Sequence, residues 1–141
     1  MVNEHFEKGM KKLSKEERKE FAERYGLNWI GRIVDIHGLV RAKRGSKYFH
    51  VRYADGTPAY TARFAQVGNF QEDGLAPAKS REDKKFLHIR LDGTPAYTAR
   101  FDMLYDDGSF SPSGITWAEK DGKIYEINRQ GEILRPVSFS C

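Results

Sequence analysis

Asp55-Gly56-Thr57-Pro58-Ala59-Tyr60-Thr61-Ala62-Arg63-Phe64 recurs residue for residue as Asp92 through Phe101. Ten identities in register, 37 residues apart, do not arise by chance. A period of this size signals supersecondary units that stack or radiate, each burying a face against its neighbour.

The recurrence extends outward from that block in both directions. Gly38-Leu39-Val40-Arg41-Ala42-Lys43 corresponds to Gly74-Leu75-Ala76-Pro77-Ala78-Lys79 and to Gly114-Ile115-Thr116-Trp117-Ala118-Glu119. Each is followed by a second apolar run: Tyr48-Phe49-His50-Val51, Phe86-Leu87-His88-Ile89 and Ile124-Tyr125-Glu126-Ile127. An apolar residue (Val34, Phe70 or Phe110) stands four places ahead of each leading glycine. The third unit ends in a degenerate echo of the ten-residue block, from Gln130 to Phe139.

Turn chemistry divides each unit into strands. Asp121-Gly122 lies between two strand-like runs, and Asp-Gly suits a tight hairpin whose turn residues take positive φ. Arg44-Gly45-Ser46 and Ser80-Arg81-Glu82-Asp83-Lys84 fill the same place with longer loops. Asp55-Gly56 and Asp92-Gly93 make a second turn, after which Pro58 and Pro95 hold the chain extended as a third strand begins. Along the middle strand Phe49, Val51 and Tyr53 alternate with His50 and Arg52, and Leu87, Ile89 and Leu91 alternate with His88 and Arg90. That period of two predicts three strands per unit, with the apolar set toward the core and a ladder of His50, His88 and Glu126 toward solvent.

The first 26 residues follow a different grammar. Phe6, Met10 and Leu13, then Phe21 and Tyr25, recur at helical spacings and predict two short helices near 3–12 and 15–25. Ser14-Lys15-Glu16-Glu17 is a capping box that opens the second helix, and Gly26 supplies its left-handed stop. Residues 1–28 are therefore expected to form a helical segment packed on a β-repeat domain of residues 29–141, with units at about 38–73, 74–113 and 114–141. The fold class expected is mainly β: tandem three-stranded antiparallel β repeats of about 37 residues with an N-terminal helical cap. A meander, a solenoid and part of a propeller all share this pattern.

A glycine-led Gly-Leu-Ala-x-Ala strand, a short turn, an aromatic-rich strand ending in His-Ile or Glu-Ile, an Asp-Gly and an Arg-Phe…Phe-x-x-x-Gly tail resemble the bacterial WG β-repeat proteins. The resemblance covers about residues 38–139. The family's Trp-Gly or Tyr-Gly dipeptide is replaced here by Phe49-His50, Leu87-His88 and Tyr125-Glu126, so the chain resembles a divergent member. The resemblance implies an all-β repeat scaffold serving as an interaction module, and it carries over no catalytic residues.

At 141 residues, 39% apolar, 31% charged and 13% aromatic, the composition is that of one folded, soluble domain whose core needs no disulfide or metal. The single cysteine, Cys141, excludes an intramolecular disulfide framework. No apolar run approaches the roughly 18 residues of a spanning helix, and the first residues lack the apolar region of an export signal. A cytoplasmic location without membrane partners is the expectation.

The net charge of +4 is concentrated: residues 38–64 carry six basic groups (Arg41, Lys43, Arg44, Lys47, Arg52 and Arg63) against one acidic group. Arg52/Arg90 and Arg63/Arg100 repeat in register beside Tyr48/Phe86 and Tyr60/Tyr97. Planar guanidinium forks next to aromatic rings suit phosphate and base stacking, so these residues, with His50 and His88, form the candidate binding surface. In the structural alternative, the arginine stems cover aromatic rings and their heads pair with Asp55, Asp92 or Asp102.

Chemistry beyond binding finds little footing. His5, His37, His50 and His88 include no i,i+3 or i,i+4 pair, so no metal site is expected. There is no Gly-x-Ser-x-Gly elbow, dinucleotide fingerprint or P-loop, and Asp55 and Asp92 read as turn residues. The expected function is a non-enzymatic scaffold without cofactors that holds a protein partner. The alternative is a basic module for nucleic acid or another anionic polymer.

Overall fold

In the computed structural model, which describes residues 5–6, 10–105 and 107–138, the chain is mainly β with one helix. A first sheet contains β1 (His5–Phe6), β2 (Met10–Lys12), β3 (Trp29–Val34), β4 (Leu39–Arg44) and β5 (Lys47–Arg52) in sequence order. A second contains β6 (Gln66–Val67), β7 (Ala76–Lys79) and β8 (Phe86–Ile89). A third contains β9 (Met103–Leu104), β10 (Thr116–Lys120), β11 (Lys123–Ile127) and β12 (Ile133–Pro136), again in chain order. All pairings are antiparallel, and no sheet closes on itself.

Only one of the two expected helices forms. Helix α1 (Lys15–Tyr25) starts where the capping box places it: Ser14 Oγ accepts from Glu17 N at 3.1 Å, Glu17 Oε1 accepts from Ser14 N at 2.8 Å, and Gly26 ends it at φ 67°. Within the segment expected as helix 3–12, the described residues are instead strands: His5 pairs with Lys11, and Lys11 with Val34 of β3. Leu13 N continues that pairing by donating to Arg32 O at 2.7 Å, which carries Leu13 into the core at 3% exposure. A spacing of three and four residues did not outweigh an available sheet edge, because helical preference in so short a segment is weak. The side chain of Phe6, together with Phe139 and Cys141, lies outside the described residues.

Two hairpin turns are as tight as the sequence allows. Asp121 and Gly122 take φ 53° and 80°, while Gly45-Ser46 closes β4 onto β5 in two residues rather than through a longer loop. The third strand differs more. In the first two sheets the ten-residue block forms no regular strand and makes isolated β-bridges to its neighbour, Val51 to Pro58 and Tyr48 to Phe64, then Ile89 to Pro95 and Phe86 to Phe101. Between the bridges the backbone curls around an arginine. Arg63 Nη1 donates to the carbonyls of Tyr60, Thr61 and Ala62 at 3.0, 3.0 and 2.9 Å. Arg100 does the same to Tyr97, Thr98 and Ala99 at 3.2, 3.0 and 3.0 Å. The third sheet has Ser138 where those arginines stand, and there a four-residue strand, β12, pairs with β11 across one register shift.

The alternation in the middle strand does not mark a wet face. Phe49, His50 and Val51 are all 0% exposed, so β5 is buried on both sides, and β8 follows it with Leu87, His88 and Ile89. The expected solvent-facing histidine ladder is thereby corrected: the neighbouring sheet covers the histidine face.

Candidate functional site

Each buried histidine joins one sheet to the next. Tyr60 Oη lies 2.6 Å from His50 Nδ1, and His50 Nε2 lies 2.8 Å from Gly68 O, just beyond β6 of the second sheet. A carbonyl can only accept, so Nε2 carries the proton and Nδ1 accepts from the tyrosine hydroxyl. His88 repeats the relay, with Tyr97 Oη at 2.5 Å and Gly108 O, after β9, at 2.7 Å. Phe70 and Phe110 pack on the two imidazoles at centroid distances of 4.4 and 4.5 Å. Burial lowers the pKa of His50 to about 4 and lowers that of His88, and it raises both tyrosine hydroxyls.

The tyrosines reach across as well. A Cβ added to Gly93 would fall 2.5 Å from the Tyr60 ring, and one added to Gly131 would fall 2.5 Å from Tyr97. These glycines sit at φ 80° and 74°, so both backbone shape and space exclude a side chain. At Gly56 the same place is filled from α1, where Tyr25 would lie 2.4 Å from an added Cβ. The helix therefore ends the array on one side by offering the ring that a preceding sheet would have offered. Phe21 of α1 stacks on Tyr53 at 4.9 Å.

On the far side the relay changes chemistry. Glu126 stands in the histidine position and Arg135 in the tyrosine position, joined by Nε–Oε1 and Nη2–Oε2 contacts of 2.9 and 3.2 Å. Trp117, Glu126 and Arg135 lie side by side across β10, β11 and β12. Trp117 is 38% exposed here, and the outermost strand, β12, exposes Ile133 at 45% and Leu134 at 48%.

The structure redistributes the candidate binding residues. His50 and His88 are buried at sheet junctions. Arg52 donates to Thr57 Oγ1 and Pro58 O, and Arg90 to Pro95 O, each holding its own turn. Arg63 and Arg100 hold the curled carbonyls, with Arg63 also 3.9 Å above the Phe49 ring. Arg44 caps the end of α1 through Tyr25 O and Gly26 O. Lys43 lies over Tyr48, Lys47 is exposed, and Arg41 lies over Trp29. Apart from Arg41, the candidate arginine heads bond backbone and hydroxyl oxygens, whereas Asp55 and Asp92 bond Thr57 and Thr94 within their turns. Lys85, a residue outside the candidate set, takes Asp102.

Sequence reasoning missed Tyr60 and Tyr97 as partners of the histidines, although each lies nine or ten places beyond its histidine in both copies. It also missed Asp35. This carboxylate is 1% exposed and accepts from His37 N and Leu39 N at 2.8 and 3.1 Å, while burial raises its pKa. Among the described residues no group of three His, Cys, Asp or Glu side chains is placed to hold a metal ion, and no helix is long and apolar enough to cross a membrane. No protein-family model matches the chain, and no curated protein matches its sequence.

Proposed function

We propose that the chain is a non-enzymatic β-repeat scaffold, a divergent relative of the WG β-repeat proteins built from units of about 37 residues, and that it holds a protein partner in the cytoplasm. One observation carries the reading: the face that the first two sheets bury against a successor is exposed in the third, beside an edge strand with no arginine curling it away. All four residues of β12 are exposed, and an exposed apolar edge is a template for an added strand. The partner contact inferred is an extended polypeptide segment laid along β12, with Trp117 and Leu134 contributing apolar surface. The repeated histidines and most of the repeated arginines already serve the fold, which supports a scaffold over a catalyst. It also weakens the alternative of a basic nucleic-acid module, for which Lys43 and Lys47 keep their ammonium groups unbonded by any described oxygen.

Selection from a displayed library of extended peptides tests the reading. The wild-type chain should enrich a peptide class that is lost with Ile133→Lys and Leu134→Lys, because charge on an edge opposes strand addition. Absence of enrichment, or enrichment indifferent to those lysines, contradicts it. Salt-sensitive binding of single-stranded RNA or duplex DNA would favour the basic module instead.

A further inference from the structure

Arg41 differs from every other half-buried arginine of the described residues. Arg18, Arg63, Arg100 and Arg129 each donate to an oxygen, whereas Arg41 has no hydrogen-bond acceptor and its buried Nε has no partner. Nor, among the described residues, does a carboxylate pair with it. Its guanidinium carbon lies 5.2 Å from the Trp29 ring centroid, with that of Arg18 on the same ring at 5.9 Å. Burial and the neighbouring Arg18 both lower the Arg41 pKa. Gly31 makes the placement possible, because a Cβ there would meet Arg41 Nε at 2.9 Å.

The repeat does not require a cation here. Pro77 and Trp117 occupy the corresponding positions of the other two sheets, each directly across from the His88 or Glu126 position as Arg41 is from His50. A half-buried, unpaired charge opposes folding unless something neutralises it. Arg41 also lines a cleft of about 320 Å³ whose remaining walls include Pro77, Phe86, Met103 and Leu104, with the backbone of Gly68 and Gly108. Asp107, also on that wall, accepts from Ser109 N at 3.0 Å and so is tied to its own loop.

We propose that this cleft is a binding site for an amphiphilic carboxylate, its head on the Arg41 guanidinium and its apolar body along Phe86, Met103 and Leu104. The planar fork matches a carboxylate, and the apolar wall excludes a bare, strongly hydrated ion as the preferred ligand. Sodium octanoate is the probe, with octanol supplying the same body without the charge. Calorimetric titration of the full chain should show octanoate binding at least about tenfold tighter than octanol, since hydrogen bonds to charged groups contribute that much. Arg41→Gln should remove that advantage, and Arg41→Lys, which keeps the charge and loses the fork, should retain part of it. Arg135→Gln should change nothing. Amide shifts at Gly68 and Gly108 should follow the titration. Equal binding of octanoate and octanol, undiminished octanoate binding by both Arg41 variants, or shifts confined to other residues would each overturn the proposal. So would the absence of octanoate binding by the wild type.

Discussion

Gly93 and Gly131 are conspicuous residues in the repeat because what they lack is used by a residue from another sheet. Tyr60 and Tyr97 lie flat enough on them that any side chain would enter the ring. Gly122 has the same φ of 80° but nothing within 4 Å of an added Cβ. The pair separates backbone strain from packing. Gly122→Ala should cost about 1–2 kcal/mol, the ordinary left-handed penalty. Gly93→Ala should cost about 3 kcal/mol or more, since the ring must also move and the Tyr60–His50 bond with it. Denaturant midpoints of the two variants measure the difference, and equal costs would remove the tyrosine from the account. The glycine's need for positive φ was legible from Asp92-Gly93. The ring above it was not, because Tyr60 is 33 residues away and nothing local encodes the contact.

At the scale of elements, the capping box of α1 was legible because both of its hydrogen bonds are local. The hairpins were legible too, since Asp-Gly and glycine-led runs act within a few residues. The first segment was misread for the opposite reason: Met10–Lys12 becomes a strand through β3, which lies about 20 residues downstream. The arginines belong to this scale. Their register suggested a stripe, but Arg63 and Arg100 turn back on three carbonyls of their own segments and shape the curl that follows the Asp-Gly turn. Arg63→Ala should therefore cost about 1–2 kcal/mol and speed hydrogen exchange at the Phe64 amide, which bonds Tyr48 O at 2.9 Å. A solvent-facing binding arginine would leave that amide's exchange unchanged on removal.

Across the whole molecule, three sheets succeed one another, joined by two buried histidine relays and ended by α1 on one side and the Glu126–Arg135 pair on the other. The mainly β class was readable from periodicity and turns. The burial of both sheet faces was not, because a period of two reports one dry face and the second is dried only by a neighbouring sheet. This assembly sets the response to acid. His50 is held near pKa 4 in the fold against about 6.5 in an unfolded chain, so the unfolded state binds the extra proton. Stability from His50 is thus complete above pH 6.5 and falls as pH drops toward 4, by up to about 3 kcal/mol, with His88 acting in the same direction. Asp35, whose carboxyl is raised by burial, acts in the opposite sense and offsets part of the loss. Denaturant unfolding at pH 7 and pH 5 checks the sign: a lower midpoint at pH 5 is expected, and one unchanged or higher would mean the histidines are not held neutral.

The most direct test of the joined-sheet account is a long-range nitrogen–proton NMR spectrum of the histidine rings, followed from pH 7 to pH 5. The account predicts that His50 remains neutral throughout, that His88 takes up a proton only below the ordinary histidine range, that both carry the neutral-state proton on Nε2, and that Tyr60→Phe perturbs the Nδ1 signal of His50. Titration of both rings near pH 6.5, or a proton on Nδ1, would contradict it and place these side chains in solvent.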